Sequence, residues 1–171
     1  VVHANGNALL LVDGVSSIGG MKFSFDEWQV DVAVTASQKC LMSSPGLAFA
    51  VLGPRAWAAT ERATLPCNYW NFSDIRRETT AAKPETPGTA PVHLMFAQRQ
   101  AIDMLFDEKL VNVFQRHRLL AEAVRRAVAV WADGGVLSFN ITEPKERGNT
   151  VTTVKMDNPT PLLDYCRDKC G

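Results

Sequence analysis

Three short apolar runs, each closed by a polar or glycine-rich turn, constrain this chain more than any other feature. ALLLV (Ala8–Val12) is continuously apolar, the pattern of a central strand covered on both faces. It stops at Asp13 and the turn-forming GVSSIGG. VDVAVTA (Val30–Ala36) is a second strand, and it runs into Ser37, Gln38, Lys39 and then Pro45-Gly46. GLAFAVLG (Gly46–Gly53) is a third, after which Pro54 opens a helix through PRAWAATERA, because proline suits the first helical turn. Between the first two strands, Ser24 is a potential N-cap and SFDEW predicts a short helix or a helical turn. Strands spaced by loops and helices in this way indicate an α/β layer.

The rest of the chain predicts helices around that layer. Residues 65–90 are irregular, and RRETTAAKPETPGTAP is rich in Thr, Pro and Gly with few large apolar side chains. So long a loop in a compact protein is either functional or covered by a partner. Pro91 starts the next helix, with Met95, Ile102, Leu105 and Phe106 as its apolar face. A second helical stretch runs from about Asp107 to Ala132. Leu120, Val124, Val128 and Trp131 mark its buried stripe, and Arg116, Arg118, Arg125 and Arg126 take solvated positions. Asp133-Gly134-Gly135 stops it. NTVTTVKM (Asn149–Met156) returns to β-branched strand residues, so a domain boundary is expected near 135–147.

Composition disfavours several function classes without excluding them. Lys and Arg together number 18, as do Asp and Glu, so no long-range field favours nucleic acid or an anionic membrane. No apolar run reaches the ~18 residues a bilayer-spanning helix needs, and no secretory-signal pattern is visible. Cys40, Cys67, Cys166 and Cys170 match no zinc spacing, and they read as the reduced thiols of a cytoplasmic protein, with a peroxisomal or mitochondrial location left open. At 46% apolar residues the chain can bury a core. It opens on Val1, enters a strand almost at once and closes on PLLDYCRDKCG, which reads as a helix cut short. The expectation is a central segment of a longer protein.

Asp13 and Lys39 then carry the chemistry. In an open α/β sheet the ligand crevice lies beyond the carboxyl ends of the strands, which is where both residues fall. Desolvation and neighbouring cations lower a lysine's pKa and free its amine for Schiff-base chemistry. An aspartate in such a crevice calls for a cationic partner. Pyridoxal phosphate offers an aldehyde to the one and a pyridine nitrogen to the other. As bare residue types, a lone Asp and a lone Lys at strand ends are more commonly surface or salt-bridging groups, and spacing alone does not decide between the two.

The surrounding residues do. LLLVDGVSSIGG followed by DVAVTASQKCLMSSPGLAFAVLG closely resembles the class V aminotransferases, which are fold type I pyridoxal-phosphate enzymes. The nearest members are the serine–pyruvate, alanine–glyoxylate and serine–glyoxylate aminotransferases. The similarity continues through NYWNF, TPGTAPVHL, VFQRHRLLAEAVRRAV and RGNTVTTV. It implies a large cofactor-binding domain over 1–135, built on a mixed, mostly parallel sheet with helices. A long helix then leads into the start of a small α+β domain over 136–171.

By the same resemblance Lys39 is the Schiff-base lysine and proton shuttle, Asp13 binds the pyridinium nitrogen, Val15 packs on the ring and Gln38 binds the phosphate. Thr89 reaches the phosphate held by a neighbouring subunit, so the 79–90 loop is expected to be covered in a homodimer. The implied reaction moves an amino group from serine or alanine to glyoxylate or pyruvate. The sequence departs from the family at Thr86, where some members have tyrosine, at Ser44, where a proline is usual, and at Ala36, where glycine is common. The family's phosphate loop and substrate-binding arginine fall outside the chain.

Other readings are weaker. DGVSSIGG lacks both the dinucleotide spacing and the P-loop lysine. A Ser37/Lys39 hydrolytic dyad lacks a nucleophile elbow. Desulfurase relatives place histidine where Gln38 stands, which leaves lyase or desulfurase chemistry as an alternative. A non-catalytic structural module is another. His3, His93 and His117 read as isolated surface or helix-packing residues.

Overall fold

The structure is a computed structural model, and it describes residues 2–86 and 88–170. Val1, Pro87 of the 79–90 loop and the terminal Gly171 lie outside the described residues.

Three strands form the sheet that positions the site. β1 (Leu11–Asp13) pairs in parallel with β2 (Val32–Ala36), with Asp13 opposite Val34. β3 (Ala48–Leu52) pairs antiparallel with β2, with Ala48 opposite Ala36. The sheet is therefore mixed, in the order β1-β2-β3. The connection from β1 to β2 contains the expected helical turn rather than a helix: Ser24 O accepts from Trp28 N and Phe25 O from Val30 N, both at 2.9 Å. Observed strands are shorter than the apolar runs at their N-terminal ends. ALLLV enters the sheet only at Leu11: Leu10 O accepts the N–H groups of Asp31 and Val32, while Leu10 N donates to the Asp31 carboxylate rather than to a strand carbonyl.

Pro54 does open α1 (Pro54–Thr60). Within the stretch expected to be irregular lies α2 (Phe72–Thr79). Its signal is a cap rather than a periodicity: Asn71 Oδ1 accepts from the N–H groups of Ser73 and Asp74, satisfying two donors that a helix start leaves free. The remainder, residues 61–70 and 79–86, is exposed.

α3 (Val92–Glu108) and α4 (Leu110–Asp133) follow, broken at Lys109, a non-glycine residue at φ 69°. The Arg116 guanidinium grips the Glu108 carboxylate through two N–H···O bonds of 2.8 Å, bracing the two helices across the break. The core is made by Val30, Ala33, Ala56, Ala101, Leu105, Val113, Ala121 and Val128, with Val113 wholly enclosed.

The expected stripes are corrected by this packing. Of the α4 stripe only Val128 is buried; Leu120, Val124 and Trp131 are exposed, and the inward face is carried by Val113, Ala121 and Val128. On α3, Met95 and Phe106 are exposed, and Leu105 is joined inside by Ala101 and by Gln98. Arg125 is not a solvated residue: its Nη2 donates to Gly148 O and to Asn149 Oδ1.

Past Gly135, at φ 74°, a second sheet of two strands forms from β4 (Ser138–Phe139) and β5 (Val154–Lys155). The strand expected over Asn149–Met156 contracts to those two residues. α5 (Thr160–Tyr165) ends the regular structure, with a π-type turn over Cys166–Cys170.

Candidate active site

Asp13 ends β1 and Lys39 lies in the turn after β2, so the parallel pairing sends both to the same sheet edge. Asp13 Oδ1 accepts the Val15 N–H at 3.0 Å, which fixes the carboxylate against the start of the next turn. Gly14 N donates to Val34 O, and Thr35 Oγ1 donates to Gly14 O, tying that turn to β2.

The loop after Asp13 also packs on the lysine turn. Gly19, at φ +97°, lies so close to the Cys40 carbonyl that a Cβ would come within 3.0 Å of its oxygen. A Cβ on Gly20 would meet Cys40 Sγ and Thr150 Cγ2, each at 2.7 Å. Both glycines of SSIGG are thus explained by close approach, and at Gly19 by backbone conformation as well. Cys40 Sγ donates to Ser16 O at 3.4 Å. Burial pushes the Cys40 thiol up, and the neighbouring Lys39 charge only partly offsets this.

Ser37 anchors the lysine turn. It is wholly enclosed, donates from Oγ to Ser44 O at 2.6 Å and accepts the Leu47 N–H at 3.2 Å. Its main chain repeats the closure, with Ser37 N donating to Leu47 O and Ser43 N to Ser37 O. Residues 37–47 are therefore a closed loop. Gln38 and Lys39 sit at its exposed crown, and Met42, at φ 59°, turns the chain back.

Beside Lys39 lies an open depression of about 290 Å³ lined by Ser16, Lys39, Cys40, Met42, His117, Thr150 and Val151. His117 of α4 is thus no isolated surface histidine. Burial and the adjacent Arg116 hold its imidazole below the usual histidine range, with Glu108 opposing. Arg125 holds Gly148 and Asn149, Asn149 N meets Met21 Sδ at 3.2 Å, and Thr150 meets Gly20. This chain of contacts brings the RGNT segment to the lysine. The periodicity of α4 could not reveal it, although both motifs had been singled out.

His3 also gains a partner. Its Nε2 lies 2.9 Å from Oδ2 of the buried Asp31, which further accepts Leu10 N at 2.8 Å and faces Arg55. Burial pushes the Asp31 carboxyl up, but Leu10, His3 and Arg55 outweigh it and leave the group below its ordinary value. This cluster staples the N-terminal turn to the sheet and lies outside the depression. Of the other expected site residues, Val15 is half-buried, while Gln38 and Thr89 are exposed. Thr89 stands in the exposed segment ahead of α3, on a different part of the chain from the Asp13/Lys39 edge.

No metal-binding cluster of His, Cys, Asp and Glu occurs among the described residues, and no helix among them is long and apolar enough to cross a membrane. The donor set suits pyridoxal phosphate instead. Asp13 keeps an oxygen beyond the one taken by Val15, and no ion pair neutralises it among the described residues. Lys39 borders an open depression with its amine likewise free of any carboxylate partner among them.

The mixed α/β sheet with its flanking helices is the fold of the type I pyridoxal-phosphate aminotransferases. The chain belongs to the aminotransferase class-V family, whose model matches residues 1–163. The soluble hydrogenase small subunit of Synechococcus sp. is 45% identical over 127 residues, covering 74% of this chain and 33% of that protein. The L-aspartate–glyoxylate aminotransferase of Paracoccus denitrificans is 40% identical over 149 residues, covering 87% and 36% respectively. Among solved structures, the alanine–glyoxylate aminotransferase of Nostoc sp. superposes with a TM-score of 0.78 at 30% identity, over 95% of this chain and 43% of that one. The chain thus spans about a third of the length of these curated relatives.

Proposed function

We propose that the protein carrying this chain is a pyridoxal-phosphate-dependent aminotransferase that moves an amino group from a small amino acid, serine or alanine, to glyoxylate or pyruvate. The observation that carries this reading is the interlock of the Asp13 and Lys39 turns at one end of the parallel β1–β2 pair. The names of the Paracoccus and Nostoc relatives support glyoxylate as the acceptor.

When bound, pyridoxal phosphate supplies an electron sink that makes the Cα–H bond of an amino acid labile. Lys39 Nζ would hold the cofactor covalently at rest and, once displaced by the amino group of the substrate, would be the free amine that takes up and returns the Cα proton. Asp13 keeps the pyridine nitrogen protonated by offering it a carboxylate. Val15 packs against the ring, and Gln38 donates to the phosphate. Thr89 would donate to the phosphate bound by a second copy of the chain, which accounts for the exposure of residues 79–86 and 88–89 as a surface covered on dimerisation. Residues 1–135 form the cofactor-binding domain and residues 136–171 begin a second unit, a division supported by the separate two-stranded sheet past Gly135.

The intact protein incubated with pyridoxal phosphate is expected to gain an absorption band at the visible–ultraviolet border. Lys39→Ala is expected to abolish it and to stop amino transfer from serine or alanine to glyoxylate. A band of equal strength in Lys39→Ala refutes the assignment.

The 45% identical hydrogenase-subunit relative favours a second reading, in which the protein serves as a subunit of a larger complex without amino transfer. Cofactor uptake with no transfer to any of the tested oxo acids selects that reading.

A further inference from the structure

The turn that carries Lys39 is held from outside its own loop by helix α3, at two points. Gln98, almost wholly buried, reaches across the fold and donates from Nε2 to Leu41 O at 3.1 Å, two residues past Lys39. One helical turn earlier, Leu94 lies against Gly46, where a Cβ would come within 2.6 Å of Leu94 Cδ1. Gly46 is at φ +133°, a conformation that only glycine adopts without strain. Both contacts fall within the loop closed by Ser37, at Leu41 and at Gly46, so α3 holds the backbone just past Lys39 and again where the loop returns.

A buried amide with a single partner is an expensive choice for a helix interior. The Gln98 Oε1 atom has no hydrogen-bond partner among the described residues although it is fully enclosed. An apolar residue would fill the same place at less cost, so burial alone does not account for a glutamine here. The donated bond to Leu41 O does.

We propose that Gln98 is a positioning residue for Lys39, its hydrogen bond from α3 holding the lysine turn in the orientation that presents Nζ to the crevice. The proposal rests on the reading of Lys39 as the cofactor-binding lysine. α3 starts at Val92, three residues past Thr89, so the helix that aims the lysine also carries the segment assigned to the subunit interface.

Gln98→Met keeps length and approximate volume and deletes the donor. In the intact protein loaded with pyridoxal phosphate, it is expected to shift the pH midpoint of the absorption band. It should also lower kcat on the order of tenfold at unchanged KM, the scale of a small misplacement of a reacting group. Gln98→Glu supplies a second arm should the Met variant fold poorly. Its carboxyl donates only while protonated, so its kcat relative to the native protein is expected to fall as pH rises. An unchanged band midpoint and kcat in Gln98→Met, or a pH-independent ratio in Gln98→Glu, overturns the proposal. Lys39→Ala separates the two levels: a band that survives in it defeats the lysine assignment itself. Loss of the band there with native behaviour in the Gln98 variants defeats only the positioning role.

Discussion

Removal of one hydroxyl, Ser37→Ala, tests the physical basis of the lysine loop. Ser37 Oγ donates to Ser44 O at 2.6 Å and accepts from Leu47 N at 3.2 Å, and its side chain has no contact with solvent. Alanine leaves both partners unmatched. Ser44 is exposed, so its carbonyl can turn to water at small cost; Leu47 is half-buried, so its N–H cannot recover fully. A buried group left without its partner costs about 1–3 kcal/mol, which puts the total at about 2 kcal/mol. With a urea dependence of ~2 kcal/mol/M, the unfolding midpoint of the intact protein should fall by about 1 M at constant slope. Amide hydrogen exchange at Leu47 should accelerate in parallel, because its N–H loses its acceptor. A midpoint within ~0.2 M of the native value, with Leu47 protection unchanged, would refute the claim that this hydroxyl closes the loop.

Two further substitutions probe the interlock and the N-terminal staple. Gly20→Ala drives a methyl into Cys40 Sγ and Thr150 Cγ2 and should destabilise by about 1–3 kcal/mol; Cys40→Ala should partly rescue it, as read by thermal unfolding. Asp31, whose carboxyl lies below its ordinary value beside His3 and Arg55, contributes stability that is present above the unfolded value of 3.8 and lost as pH falls through the lower folded value. Asp31→Asn should therefore flatten the acid limb of the stability profile below about that pH, and an unchanged limb in acid titration followed by circular dichroism counts against the cluster.

Much of the site was readable because its parts are local. Asp13 closes an apolar run, Lys39 follows another, and Pro45-Gly46 turns the chain back. Each is set by backbone chemistry within a few residues. The glycines at 19 and 20 were visible as a turn, but their purpose was not, since the atoms they make room for belong to Cys40 and Thr150. Gln98 carries no signal in the sequence, and His117 reads there only as a surface or helix-packing residue, for a related reason. A glutamine or histidine on an amphipathic helix reads as surface until the neighbouring element is known.

The sequence by itself determined where strands stop, which polar groups stand at their ends, and that α4 is a long helix closed by Gly134-Gly135. Those outcomes follow from short-range torsional and capping preferences. Only the tertiary structure decided which helical face turns inward, so that Val113 and Ala121 are buried while Leu120 and Val124 are not. It alone decided that Arg125 binds the 148–149 segment and that Gln98 holds the lysine turn. Burial is a property of neighbours distant in the chain, and an apolar stripe records what a helix can cover rather than what it meets.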